Sequence, residues 1–244
     1  MKVADGIEML EVEMKMMGGK RINNPTLIYD DKHLVLVDVG MPGQVEALKA
    51  AVEKAGFQFS NIDTVIFTHQ DIDHIGGIQD LLDAVGKPVE IYAHVDEKPY
   101  IEGDKEPVKM NRQQVAQMVE KMSEEMRKEA EAIYLNRPTA KVTKTLTDDE
   151  VIPIAGGIQV IHTPGHTPGH ICLYHQATGT LVTGDETVAE NGKLTGPNPV
   201  YTPDMGLALA SLKKLTTHDV AKAICYHGGL IDDQVNEQLR ELTI

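Results

Sequence analysis

Four potential metal ligands fall within six positions of this chain: His69, Asp71, Asp73 and His74, in the run HQDIDH. Imidazole nitrogen and carboxylate oxygen suit zinc, iron and manganese. A single ion would hardly use all four, so the run reads as an irregular loop that turns His69 and Asp71 to one ion and Asp73 and His74 to a second. Two such ions about 3.5–4 Å apart can share a hydroxide and clamp the oxygens of a displacement, but they need more ligands than one loop holds. The chain has further candidates at later strand ends beside glycine turns: His166 in HTPGHTPGH, Asp185 in VTGDE and His227 in CYHGG. Loops at strand ends are where a rigid scaffold presents function. The chemistry implied is attack of a metal-generated hydroxide on a carbonyl or phosphorus. No GxSxG element announces a serine nucleophile.

The elements that must position these residues alternate between strand and helix periods. Val12, Met14 and Met16 alternate with Glu11, Glu13 and Lys15, and the apolar run from Leu34 to Val37 ends at Asp38 and Gly40. Val45, Leu48, Val52 and Ala55 recur at helical spacing over about 44–55, with Gly56 as the stop. A buried strand over 64–68 delivers the HQDIDH run, and a helix over 78–85 follows it. After a strand over 89–93 and the breaks at Pro99, Gly103 and Pro107, the spacing predicts one long helix over about 111–136. Its apolar stripe includes Val115, Met118, Val119, Met122, Met126, Ala130 and Ile133. That stripe could pack on the body of the domain, line a substrate pocket with adaptable thioethers, or form a homodimer surface.

The second half predicts strands over 142–146, 151–154, 158–162, 171–175, 180–183 and 223–226, with helices over 205–215 and 232–242. Two sheet-rich halves, each followed by helices, give an α/β helix-sheet-sheet-helix sandwich. The whole chain, 1–244, reads as a single domain with a helical insertion at about 105–138. Asp38 closes a strand beside the metal run and is a candidate to hydrogen-bond a ligand histidine. His170, four residues after His166, is a candidate for a supporting or substrate-facing role. His33, His94, His162, His175 and His218 read as structural or exposed.

With this order of residues the sequence resembles the metallo-β-lactamase-fold hydrolases, from the opening strands to the His227-Gly228 turn. The family pattern is HxHxDH, then a histidine in a Pro-Gly-His context, an aspartate after glycine, and a final histidine. His69 to His74, His166, Asp185 and His227 match it in order. The resemblance implies a four-layer αββα sandwich, with His69, Asp71 and His166 on a first metal and Asp73, His74 and His227 on a second. Asp185 would bridge both, and Asp73 would also orient the nucleophile, making Asp73 and Asp185 the catalytic pair.

Asp71 stands where the pattern has a histidine. An ionised carboxylate there makes the shell less positive by one unit of charge, which favours cation binding but weakens the acidification of water. Oxygen donors move preference towards iron or manganese, so of the two divalent ions expected, zinc is the first choice only narrowly. Flavodiiron proteins of this fold also carry a carboxylate at this position. The alternative is therefore a diiron enzyme reducing oxygen or nitric oxide with a separate electron donor.

Composition narrows the substrate. A net charge of −14 repels polyphosphates, and no basic stripe is evident, so no nucleic-acid partner is expected. The 41% hydrophobic and 25% charged content is that of a globular domain, and the apolar runs are strand-sized, so no membrane partner is expected. The opening residues lack a leader pattern, which makes the cytoplasm the default location. Cys172 and Cys225 lie in apolar, strand-like runs and read as free buried thiols. The leading expectation is hydrolysis of a small-molecule ester, lactone or thioester. Phosphodiester cleavage by the same fold and non-catalytic metal binding are the competing readings. Acyl-homoserine lactonases of the fold place a tyrosine soon after the bridging aspartate, where this chain has Glu186, Thr187 and Val188.

Overall fold

Short apolar runs bounded by glycine and proline pair into two large sheets in the computed structural model, which describes residues 1–16 and 19–243. The first sheet takes, in spatial order, β1 (Lys2–Ala4), β2 (Ile7–Met9), β5 (Thr26–Tyr29), β6 (Leu34–Val37), β7 (Thr64–Ile66), β8 (Glu90–His94) and β9 (Lys144–Leu146). A separate hairpin is formed by β3 (Val12–Met16) and β4 (Gly19–Asn23). Strands β6 to β9 run parallel. Parallel neighbours need a crossover, which α1 (Val45–Lys54) gives between β6 and β7 and α3 (Ile78–Val85) between β7 and β8. The second sheet is ordered β10 (Val151–Ile152), β11 (Ile158–His162), β12 (Ile171–His175), β13 (Thr180–Val182), β16 (Lys222–Cys225) and β17 (Gly229–Ile231). It is antiparallel except for β13 and β16, whose crossover contains the hairpin β14 (Val188–Glu190) and β15 (Lys193–Thr195) and helix α7 (Met205–Leu215). The final helix is α8 (Val235–Glu241).

Three buried clusters show how these elements stack. Leu36 and Val65 from one face of the first sheet pack with Leu48 of α1 and Leu81 of α3. The other face turns Val35, Val37 and Ile66 onto Val160, Leu173 and Ile224 of the second sheet. Beyond that sheet, Cys172, Leu181 and Ala223 pack with Leu212 of α7 and Leu239 of α8. Side chains alternate along a strand, so sheets with apolar residues on both faces must be covered on both. The result is the expected four-layer αββα sandwich. Both cysteines are free and buried, and among the described residues no helix is long and apolar enough to cross a membrane.

Strand direction brings the chemistry to one edge. β6 and β7 are parallel neighbours, so their C-terminal ends release Asp38 and the His69 run side by side. In the second sheet β11 and β13 both oppose β12, and β16 parallels β13. The turns carrying His166, Asp185 and His227 therefore leave the same edge of that sheet, following the rule that sites lie beyond the carboxyl ends of strands.

The structure departs from the sequence expectation in three places. The predicted helix over 111–136 is two helices, α5 (Arg112–Val119) and α6 (Glu124–Tyr134), separated by a turn in which Ser123 Oγ accepts from Met126 N at 3.4 Å. Ser123 followed by Glu124 and Glu125 is an N-cap with an acidic first turn, a local signal that outweighs the continuous apolar period. Much of the stripe is consumed between the two helices, where Val115, Val119 and Ala130 pack with Met118 and Met122. The metal run is not irregular either, because Ile72–Ile75 forms one helical turn, α2, with Asp71 at the N-cap position and its side chain left free of the cap. The β14–β15 hairpin and β17 went unread, being three-residue strands too short to show a period.

Candidate metal centre

Asp38 organises the first sheet's share of the site. Its backbone is in the left-handed region, φ +61°. Asp38 Oδ1 accepts from Thr68 N at 2.9 Å, and Oδ2 accepts from Thr68 Oγ1 at 2.7 Å and His74 Nδ1 at 2.8 Å. Since the Thr68 hydroxyl donates to Asp38, it accepts from His69 Nδ1, 3.0 Å away. Both histidines thus spend Nδ1 on this relay and turn Nε2 towards the cavity. Tyr226 lies against His74, the rings tilted by 33° with centroids 3.9 Å apart, and its hydroxyl donates to the Asp73 carbonyl at 2.5 Å.

The second sheet's turns meet this array. His166 pairs Nδ1 with Thr202 Oγ1 at 3.2 Å and presents Nε2 to Asp71 Oδ2, also at 3.2 Å. Gly165, before it, has φ +136°, and a side chain there would strike the Ala208 backbone, so only glycine lets α7 pass so close. His170 does not face the centre as a ligand. Its Nδ1 bonds Thr163 Oγ1 at 2.8 Å and its Nε2 accepts from the Asp185 amide at 3.1 Å, so it fixes the backbone of Asp185. Burial, with His69 and His166 nearby, holds its pKa well below the histidine value, which keeps that acceptor neutral.

All seven residues expected at a centre converge in two groups. Donor atoms of His69, Asp71, His166 and Asp185 lie within 4.8 Å of one another, as do those of Asp73, His74 and His227. Asp185 spans them: Oδ2 lies 3.4 Å from His166 Nε2, and Oδ1 lies 3.2 Å from His74 Nε2 and 3.5 Å from His227 Nε2. His69 Nε2, His74 Nε2 and Asp185 Oδ1 are buried without a hydrogen-bond partner. Buried polar atoms seldom go unsatisfied, and three of them turned to a common space fit a cation.

The electrostatics agree. Burial opposes charge on His227, yet Asp185 and Asp73 raise its pKa to about 10. Burial likewise opposes charge on His74, and Asp185, Asp38 and Asp73 overcome it, holding the pKa well above the histidine value. On Asp185 burial is outweighed by His227 and His74, which keep the carboxyl well below the usual range. On Asp71 it is outweighed by Lys109 and His69, with the same result. His69 differs, pushed down to about 4 by burial and by His74. A site that drags protons onto two buried imidazoles has a negative potential that divalent cations would satisfy.

Sequence reasoning missed Glu97, Lys109 and Arg137. Glu97 is fully buried, with Oε1 accepting from Gln70 N at 2.9 Å and Oε2 from Gly169 N at 3.1 Å, tying the metal run to the His166 turn. Lys109 reaches Asp71 and His166, and Arg137 donates Nη2 to the Gln70 carbonyl. Each was one charged residue in a polar stretch, with no local signal marking it. A cavity of about 850 Å³ opens over the centre, with Met41, Met110, Met118, Tyr134, Val200, Tyr201 and Arg137 among its walls. The Glu186 carboxylate is buried without a hydrogen-bond partner and does not line it.

A third set of potential ligands, His94, Asp96 and His162, also lies close together. The two rings stack at 3.9 Å and 13°, so their in-plane lone pairs run parallel rather than converging. His94 Nδ1 accepts from Asp96 N, and His162 Nε2 donates to the Pro168 carbonyl. This cluster is a contact between β8 and β11, the structural role expected of both histidines.

The family profile described as Metallo-beta-lactamase superfamily matches residues 18–227. Among curated relatives, the probable metallo-hydrolase YflN of Bacillus subtilis is 28% identical over 80% of this chain and 75% of its own length. An atrochrysone carboxyl ACP thioesterase of Claviceps purpurea is 22% identical over 86% of this chain, which spans about half, 52%, of that enzyme. A metallo-beta-lactamase family protein of Thermus thermophilus superposes with a TM-score of 0.74 at 23% identity, covering 99% of this chain and 79% of that one. The BLEG-1 B3 metallo-beta-lactamase gives 0.66 at 23% identity, covering 98% and 100%. At such identities the two structures establish the shared fold.

Proposed function

This chain belongs to the metallo-β-lactamase superfamily, and on that premise we propose that it is a binuclear metal-dependent hydrolase of a small ester, lactone or thioester. The observation that carries this reading is the convergence of two donor groups on Asp185, with three buried donor atoms unsatisfied. His69, Asp71 and His166 would hold one divalent cation, Asp73, His74 and His227 the other, and Asp185 both. Bound there, the pair supplies the Lewis acidity that makes water a nucleophile near neutral pH. The chain's own residues do the rest. Asp38, Thr68 and His170 fix the donors, Asp73 accepts a proton from the attacking water and aims it, and the Met-lined wall excludes solvent from an acyl group. Relatives named as thioesterases, matched over about half their length, support the acyl assignment.

Metal identity is where a second reading enters. Asp71 gives the first position an oxygen donor in place of a histidine, which moves preference towards iron or manganese and leaves zinc only narrowly ahead. Iron content, with activity only when a flavoprotein donor is added, would replace the hydrolase by a diiron reductase. The deciding experiment is metal analysis of purified protein followed by a panel of esters, lactones, thioesters and phosphodiesters. Asp185→Asn and His166→Ala are each expected to lose at least one metal equivalent and nearly all turnover. Full metal content in both variants would remove the basis of the assignment.

A further inference from the structure

Lys109 comes from the segment between α4 (Lys98–Ile101) and α5, outside both donor groups. Its Nζ lies 2.6 Å from Asp71 Oδ2, 2.7 Å from His166 Nε2 and 3.0 Å from the Tyr201 carbonyl oxygen. Three acceptors take the three donors an ammonium has, and the side chain is only 14% exposed. Two of those acceptors are the atoms that the first donor group offers to a cation. Lys109 can only donate, so His166 Nε2 meets it with its one lone pair while Nδ1 donates to Thr202 Oγ1, and that lone pair can accept a hydrogen bond or bind a metal but not both. Among the described residues no lysine or arginine makes an ion pair or hydrogen bond with the side chains of Asp73, His74 or His227.

We propose that Lys109 and the first divalent cation compete for Asp71 and His166, so that the two metal positions fill in a fixed order. The position of Asp73, His74 and His227 loads first. Loading at Asp71 and His166 requires Lys109 to swing out, moving the segment that leads into α5. Lys109 is in this sense a positioning residue that sets occupancy of the centre. The inference rests on the binuclear reading above, and its test separates the two.

Zinc alone is titrated into metal-free wild type, Lys109→Met and Lys109→Arg, and followed by calorimetry. Wild type is expected to take one equivalent tightly and a second at least tenfold more weakly. Lys109→Met is expected to strengthen only the second step, by at least tenfold, while Lys109→Arg, which keeps the charge, preserves the gap. A second step unchanged or weakened in Lys109→Met overturns the competition. Pulsed amine acylation with mass spectrometry gives a readout in the unaltered protein: Lys109 should be labelled slowly with one equivalent present and several-fold faster with two. Equal labelling at both stages overturns it as well. Failure of every form to bind zinc would instead strike the metal centre itself, and the competition with it.

Discussion

Asp38 shapes the centre without belonging to either donor group, because one carboxylate fixes both His74 and, through Thr68, His69. Groups that orient metal ligands typically contribute 10–100-fold to affinity. Asp38→Asn is a clean probe, since asparagine tolerates left-handed backbone and keeps an oxygen for Thr68 while losing the charge. Metal titration is expected to show binding weaker by roughly 10–100-fold with the fold intact. Unchanged affinity would mean that contact with the Tyr226 ring alone holds His74.

At the scale of elements, the site depends on loops from two sheets being held in register, and Glu97 is the tie. It satisfies backbone amides of Gln70 and Gly169, one on each side of the centre. Leaving a buried donor without its acceptor costs about 1–3 kcal/mol. Glu97→Ala is therefore expected to lower unfolding stability by roughly 2–6 kcal/mol, read by urea denaturation, and to weaken metal uptake as well. A loss below about 1 kcal/mol would show that the two turns hold each other without it. The paired helices α5 and α6 teach the complementary point. Their packing buries Val115, Val119 and Ala130 of the apolar stripe, while Met110, Met118 and Tyr134 remain to line the cavity.

For the molecule as a whole, the donors come from both sheets, so bound metal should clamp the two halves of the sandwich. Ligand at a thousandfold its Kd adds about 4 kcal/mol, and a protein of this size shifts by about 2–4 °C per kcal/mol. Removing metal with a chelator is expected to lower Tm by roughly 8–16 °C in scanning calorimetry. An unshifted Tm would show that the sheets do not depend on the clamp. The His94–His162 stack joins the sheets independently. Burial, reinforced by His162, pushes His94 down to about 4 from 6.5. Between those values the unfolded chain binds a proton that the folded one refuses, so stability is lost as pH falls from about 6.5 towards 4. Relative to His94→Gln, wild type should lose roughly 2 kcal/mol between pH 7 and pH 5, measured by urea unfolding. Parallel stability curves for the two proteins would remove His94 from the acid response.

The αββα layering, most element positions and all seven converging side chains were readable from the chain, because apolar periodicity and strand-end turns are local patterns. The metal run and the turns of His166, Asp185 and His227 announced themselves by residue type at short spacing. Tertiary structure alone decided what local sequence does not encode. Glu97, Lys109 and Arg137 sit in ordinary charged stretches, and their roles arise only where the end of β8, the segments flanking α5 and α6, and two turns meet. His170 read on spacing as a supporting or a substrate-facing group, and only the fold, by directing its ring to the Asp185 amide, decides for support. A charged side chain's role depends on which distant backbone it reaches, and that is fixed when the two sheets pack.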